Sequence, residues 1–333
     1  MGNQRFSQGR RVAFRFVFGP VRSGRLGLSL GLDLLGDAIC SFDCVYCEVG
    51  PTRVLTTERA AYVPARDILD ELSTWWGGAG SRPEGRPDAI TLGGSGEPCL
   101  NSEIGEVIAG ARRIAPGVPV AVLTNSAHLA DPQVRRDLAG ADVVLPSLDT
   151  LVPHEMARLN RAHRGLDPQV LADGLLAFRA EFSGRIFLEV LLAAGYNDSA
   201  ENLAALRQFA PRLAPDRVDV VTLSRPGTLP GVRPVDAAVL EAWRAALGGA
   251  AGPGQTRLLH QEALPADGEP CPGAGDLVLA SALRRPQTAE QLAFALRLPL
   301  PRVQEVLGGL VRAGKLVETR LDGGTYFGSG GRA

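Results

Sequence analysis

Residues 40–47 read Cys40-Ser41-Phe42-Asp43-Cys44-Val45-Tyr46-Cys47, three thiols in eight residues with x3 and x2 spacing. An apolar segment, residues 26–35, precedes them and reads as a strand. From there to residue 224, short apolar runs alternate with helical patterns. Further strands are expected at residues 88–93, 118–125, 142–148, 185–192 and 217–223. Helices are expected at residues 65–76, 102–114 and 131–138, between 153 and 182, and at 199–209. Runs such as Ile-Thr-Leu and Val-Ala-Val-Leu-Thr are apolar on both faces, as strands covered by helices are. Six strands alternating with helices predict an α/β fold, a parallel sheet rolled by right-handed crossovers into an open or closed barrel. Functional groups in such a barrel sit beyond the C-terminal ends of the strands. The three cysteines lie beyond the first.

The second strand runs into Leu92-Gly93-Gly94-Ser95-Gly96-Glu97-Pro98. This turn lacks the Gly-Lys-Ser/Thr of a phosphate loop and the Gly-x-Ser-x-Gly of a nucleophile elbow. Polar residues close the later strands: Asn125 after the third, Ser147 and Asp149 after the fourth, and Glu189 in the fifth. Asn125 and Asp149 are able to hydrogen-bond hydroxyls, and each also suits a helix cap. Arg158, Arg161, His163 and Arg164 form a basic patch beyond the fourth strand, suited to a carboxylate or phosphate.

The chain has five cysteines, and their crowding is unlike a secreted disulfide framework. Thiolates are the normal ligands of iron–sulfur clusters. Three of them satisfy three irons of a 4Fe–4S cubane and leave the fourth iron open. A zinc site needs a fourth ligand. Cys99 is available for that, although x3 spacing is unusual in a zinc knuckle. Cys99 otherwise reads either as a hydrogen donor at an active site or as a small buried residue.

Cys40-x3-Cys44-x-Tyr46-Cys47 resembles the signature of the radical S-adenosylmethionine (SAM) superfamily, Cys-x3-Cys-x-aromatic-Cys. The turn Gly93-Gly94-Ser95-Gly96-Glu97 is similar to that superfamily's glycine-rich motif. The resemblance implies an α/β fold of the partial (β/α)6 barrel type, and a 4Fe–4S cluster on Cys40, Cys44 and Cys47 with SAM on the open iron. It implies the methionine amino group at Gly93–Glu97, where glycine permits close backbone approach. It implies the adenine beside Tyr46, and polar contacts to SAM from Asn125, Ser147, Asp149, Glu189 and Arg161. The implied activity is reductive cleavage of SAM to a 5′-deoxyadenosyl radical for C–H activation, with flavodoxin or ferredoxin as reductant. The cofactor carries that chemistry and the protein orients it.

The stretch from Phe18 to Gly31 and Leu159-Asn160-Arg161-Ala162-His163 resemble a subgroup related to wyosine tRNA-base synthases. That implies a tRNA base as substrate; modification of a peptide or protein is the alternative. The wyosine reaction itself is not carried over. Its active-site lysine has no counterpart, since Lys315 is the only lysine, and Cys99 and Cys271 are too few for a second cluster.

The expected organisation is a core over residues 1–225, an extended connector with one helix over 226–272, and a winged-helix-like unit over 273–333. In that last unit Thr288-Ala289-Glu290-Gln291 matches a capping box, and Asp322-Gly323-Gly324 a hairpin turn. A winged helix suits nucleic acid, peptide or plain packing. Its third helix mixes Arg302, Gln304, Glu305 and Arg312 without a dense basic stripe. A non-catalytic iron–sulfur regulator acting on DNA is a third reading, against which the glycine-rich motif stands.

Residues 1–25 carry Arg5, Arg10, Arg11, Arg15, Arg22 and Arg25 and no acid. They read as a basic first strand over residues 12–18, a transit peptide or a phosphate-binding arm. The net charge of −1 draws the whole chain toward neither nucleic acid nor an anionic membrane. With 45% hydrophobic residues a large core is expected. No apolar run reaches the length of a membrane span, so a soluble cytoplasmic protein is the simplest account.

Overall fold

The computed structural model describes residues 14–80, 86–248, 274–284, 286–296, 298–321 and 324–328. Arg5, Arg10 and Arg11 of the basic start, Cys271, and Asp322 and Gly323 of the wing turn lie outside the described residues.

The chain begins with β1 (Val17–Ser23) and β2 (Gly27–Leu32), then the short pair β3 (Ile39–Cys40) and β4 (Val54–Leu55). Alternation follows: α1 (Ala65–Trp75), β5 (Ala89–Leu92), α2 (Ile104–Ile114), β6 (Val120–Thr124), α3 (Pro132–Leu138) and β7 (Val143–Pro146). Next come α4 (Pro153–Leu159), α5 (Pro168–Glu181), β8 (Arg185–Leu192), α6 (Ala200–Leu213) and β9 (Arg217–Thr222). Then α7 (Ala237–Gly248) provides the helix expected in the connector.

Seven strands form one sheet in the order β1-β2-β5-β6-β7-β8-β9. From β2 to β9 every neighbouring pair is parallel, as in a partial α/β barrel. The first strand departs from expectation. It was placed at residues 12–18, ending before Gly19-Pro20, but β1 runs through that dipeptide and pairs antiparallel with β2. A register shift between Phe18 and Val21 absorbs the proline. An edge strand tolerates this, because one flank needs no donor.

The outward strand residues explain why the helices dock. Leu30, Ile90, Val122, Ile186 and Val190 have no exposure and share one cluster with Ile68 and Leu72 of α1. Burying each such side chain stabilises by about 1.5–3 kcal/mol. On α1, Ile68, Leu72 and Trp75 recur at i, i+4 and i+7, one face of a helix. Asp131 and Asp167 cap α3 and α5 by accepting from Gln133 N and Gln169 N, with a proline in the first turn of each.

The C-terminal elements α8 (Ala274–Arg284), α9 (Ala289–Leu296), α10 (Leu300–Arg312), β10 (Val317–Leu321) and β11 (Gly324–Gly328) surround a separate apolar cluster around Val278, Leu292, Val303 and Leu307. The capping box closes reciprocally: Gln291 N donates to Thr288 Oγ1 at 3.3 Å and Thr288 N to Gln291 Oε1 at 3.2 Å. This winged-helix-like unit touches both edges of the open barrel. Helix α9 packs on β1, and Tyr326 Oη donates to Ser224 O, just beyond β9, at 2.8 Å. Among the described residues no helix is long and apolar enough to cross a membrane.

Candidate functional site

The cysteine loop leaves β2 at the C-terminal end of the strands and is held from three sides. On one side is the glycine-rich turn after β5. Glu97 N donates to Ile39 O at 3.1 Å, and a Cβ on Gly96 would lie 1.8 Å from that same oxygen. Only a residue without a side chain lets the two segments meet so closely. Ser95 Oγ donates to Asp33 Oδ2 at 2.5 Å, tying the turn to the end of β2.

On the second side the segment after α4 is laced to the loop through backbone groups. Asp43 N donates to Asn160 O, Val45 N to Leu159 O, and His163 N to Ser41 O, all within 2.9 Å. On the third side lies the segment after β9. Leu229 N donates to Val45 O at 3.0 Å and Thr228 Oγ1 to Cys47 O at 3.0 Å. Gly227 sits so close to Tyr46 that a Cβ there would approach the Tyr46 Cα to 2.7 Å.

Cys40, Cys44 and Cys47 are unbridged and half-buried. Burial pushes the Cys40 thiol up to about 12, with Glu97 adding to the shift. Burial also raises Cys44, with Cys47 and Cys40 adding repulsion, and it raises Cys47. The thiols therefore keep their protons at neutral pH until a cation joins them. Asn125 Nδ2 lies 3.5 Å from Cys40 Sγ, and Asn160 Nδ2 lies 3.6 Å from Cys44 Sγ. Such donors to sulfur tune a thiolate-bound cluster.

Among the described residues no group of three or more His, Cys, Asp or Glu converges as a single ion requires. The three thiols sit in one loop, with amide donors beside two of the sulfurs, a donor set of the kind that holds an iron–sulfur cluster.

Glu97 is buried, and its carboxylate braces two strand ends. It accepts from Cys99 N at 3.0 Å, Thr124 Oγ1 at 2.8 Å and Asn125 N at 2.6 Å. Asp149 is a second hub. It accepts from Tyr46 Oη at 2.5 Å, Asn160 Nδ2 at 2.9 Å and Leu191 N at 3.0 Å. Burial pushes the Asp149 carboxyl up against the pull of these donors, and burial with the neighbouring Asp149 raises the Tyr46 phenol. A cavity of about 40 Å³ lies beside them, bordered by Tyr46, Asn125, Ser147, Asp149 and Asn160.

No protein-family model matches the chain. A UPF0026 protein of Synechocystis sp. is 37% identical over 194 residues, covering 57% of this chain and 69% of that protein. The chain belongs to the UPF0026 family. A GTPase Obg of Brachyspira hyodysenteriae is 29% identical over 312 residues, 92% of the UPF0026 chain but 44% of its own length. The chain thus spans less than half of that second relative. Among solved structures, a radical SAM methyltransferase from Sphaerobacter thermophilus is similar at 20% identity. That match covers 66% of this chain and 62% of the other, with a TM-score of 0.48.

The remaining expected site residues of this UPF0026 chain fall in different places. Arg161 has a positive φ of 46° and lies near Asp43 of the cysteine loop, 3.7 Å away, while Arg158 donates to Tyr196 O. Ser147 lines the cavity and accepts through its carbonyl from Ser126 Oγ. Glu189, expected at the cofactor, pairs with Arg25. Cys99 is fully buried and lies 3.5 Å from Thr124 Oγ1; burial holds its thiol well above the ordinary value. Sequence reasoning assigned no role to Asp33, Ser41 or Asn160. Asn160 stood inside the Leu159–His163 motif, and Asp33 stood at a strand end; those were the available signals.

Proposed function

We propose that this UPF0026 protein is a radical SAM enzyme. The observation that carries the reading is the junction of the two motifs: the cysteine loop and the glycine-rich turn meet backbone to backbone at Ile39 and Gly96. Two motifs far apart in sequence thereby share one mouth of the barrel. When bound, a 4Fe–4S cluster with SAM on its open iron supplies a 5′-deoxyadenosyl radical able to take hydrogen from an unactivated carbon.

The chain's own residues supply holding and orientation. Cys40, Cys44 and Cys47 hold the cluster. The turn Gly93–Glu97 offers backbone groups to the methionine ammonium, and Glu97 keeps the turn in place rather than reaching out. Tyr46, anchored by Asp149, borders the cavity that suits an adenine edge or a ribose hydroxyl, with Asn125 and Ser147 beside it. Arg161 stands at the rim as the cation for a carboxylate. A flavodoxin or ferredoxin is the reductant this chemistry calls for.

The substrate readings are a tRNA base and a peptide or protein. The charge of the C-terminal unit favours the second. Arg302 is paired with Glu305 at 2.5 Å and Arg320 with Glu318 at 3.9 Å. Beside these pairs only Arg312 and Lys315 add positive charge on α10 and the turn after it, short of the basic stripe a phosphate backbone needs. The test is anaerobic: reconstituted protein with SAM and dithionite releases 5′-deoxyadenosine and methionine. An intact cluster without cleavage contradicts the reading.

A further inference from the structure

The inner face of the barrel is unlike its outer face. Outward residues such as Leu30, Ile90, Val122 and Leu188 are fully or almost fully buried under helices. The inward residues alternate with them. Gly31 is buried under the Phe18 ring and Ala121 is buried, while Leu123, Glu189, Leu191 and Val221 keep partial exposure. Through these four residues the inner face keeps contact with solvent.

Four charged side chains share this face. Arg25, from the turn between β1 and β2, pairs with Glu189 of β8. Arg217 of β9 grips Asp219 through Nε at 3.0 Å and a terminal nitrogen at 2.7 Å, and its guanidinium lies 3.9 Å from the centre of the Phe187 ring. The register places Glu189 opposite Asp219 and Phe187 opposite Arg217. The two pairs form one electrostatic unit. Burial lowers the Arg25 pKa, Asp219 and Glu48 oppose that, and Arg217 adds to it.

Charges inside a barrel cost desolvation, and a layer that only fills space is apolar. The same inner face shows such a filler, with Leu26, Ala121, Val143, Leu145 and Phe187 in one cluster. Packing alone does not call for two ion pairs beside it. Two cations and two anions leave the set neutral, so a polyphosphate gains no net attraction and meets Glu189 and Asp219 as like charges. A zwitterion replaces partners one for one: its carboxylate takes an arginine fork, and its ammonium takes the released carboxylate.

We propose that Arg25, Glu189, Arg217 and Asp219 form the substrate-binding set of this barrel, and that its ligand is an amino-acid-type zwitterion, free or as a short peptide with both termini unblocked. This rests on reading the mouth as a radical generator, and it gives that generator a substrate class. The C-terminal unit contacts the sheet at both edges, α9 on β1 and Tyr326 on Ser224.

The test is direct retention. Anaerobically reconstituted protein is mixed in turn with the pooled standard L-amino acids, pooled tripeptides with free termini, the same tripeptides acetylated and amidated, and pooled nucleoside monophosphates. Bound molecules are recovered by rapid ultrafiltration and identified by mass spectrometry. Retention from the first or second pool is expected, and which of the two retains identifies the source. Retention confined to blocked peptides or nucleotides, or none from any pool, overturns the proposal.

The double variant E189Q/D219N should retain about tenfold less, with its melting transition preserved; undiminished retention overturns the assignment. Where that variant melts early, R217K decides. It keeps the charge but loses the fork, and several-fold weaker retention is expected, whereas unchanged retention overturns the role of Arg217. Zwitterion retention without SAM cleavage sinks the radical reading and leaves this site standing. Cleavage without zwitterion retention sinks this site alone.

Discussion

The mouth of the barrel and its inner face are held together on different terms. At the mouth, backbone groups of three distant segments bond to the cysteine loop, and buried carboxylates of Glu97 and Asp149 each accept three donors. These bonds are buried or partly buried and come from separate segments, so together they fix the geometry of the mouth. On the inner face, two ion pairs hold side chains that keep between 4% and 29% exposure, and each charge depends on its partner. One region is fixed by many bonds around a single loop, and the other by two charge pairs. Changes at the mouth should therefore cost cluster and stability, and changes inside should cost binding.

The largest effect is expected at the cluster ligands. Cys44→Ala should lose the iron–sulfur chromophore and bring SAM cleavage to background, read by iron content and 5′-deoxyadenosine release. Cleavage sustained by a substitute third ligand from another residue would break the contrast. Cys99 should behave oppositely despite lying near the same turn. Its thiol is buried and held protonated, so iodoacetamide at pH 8 should leave it unlabelled in native protein and label it in urea. The pH sign follows: a raised pKa means labelling grows only as pH climbs well past the ordinary thiol range. Mass spectrometry of the modified peptide checks this.

Next comes the Asp149 hub. Asp149→Ala orphans the Tyr46 hydroxyl, an Asn160 amide proton and the Leu191 N–H, and should destabilise the protein by about 3 kcal/mol in denaturant titrations. The smallest stability effect belongs to the inner face. Glu189→Gln removes one partner of a partly exposed pair and should cost roughly 1 kcal/mol or less. A loss equal to that of Asp149→Ala would erase the distinction between the two regions.

How much of this was legible in the sequence depends on where the partners lie. The parallel strands announced themselves, because runs apolar on both faces suit only strands covered by helices. The Cys40–Cys47 and Gly93–Glu97 segments were legible because their chemistry demands particular residues at fixed spacing. The Thr288–Gln291 box was legible because both partners sit within one turn. The work of Glu97 was half legible: its place in the motif was visible, while Thr124 and Asn125 reach it only through the β5–β6 pairing. Asp149 read as a ligand to a hydroxyl, since nothing in its neighbourhood disclosed that Tyr46, Asn160 and Leu191 would converge on it. The Arg25–Glu189 pair joins opposite ends of the sheet and left no local trace. The first strand was misplaced because Gly19-Pro20 ends most strands, and only an edge position with a register shift lets one pass through.

The central claim is that three cysteines hold a cubane whose fourth iron is open at the mouth of this barrel. Electron paramagnetic resonance of the reduced, reconstituted protein tests it most directly, recorded before and after adding SAM. A 4Fe–4S signal that changes its g-values on SAM addition is the expected result. A reduced cluster whose signal ignores SAM at saturating concentration would contradict the account.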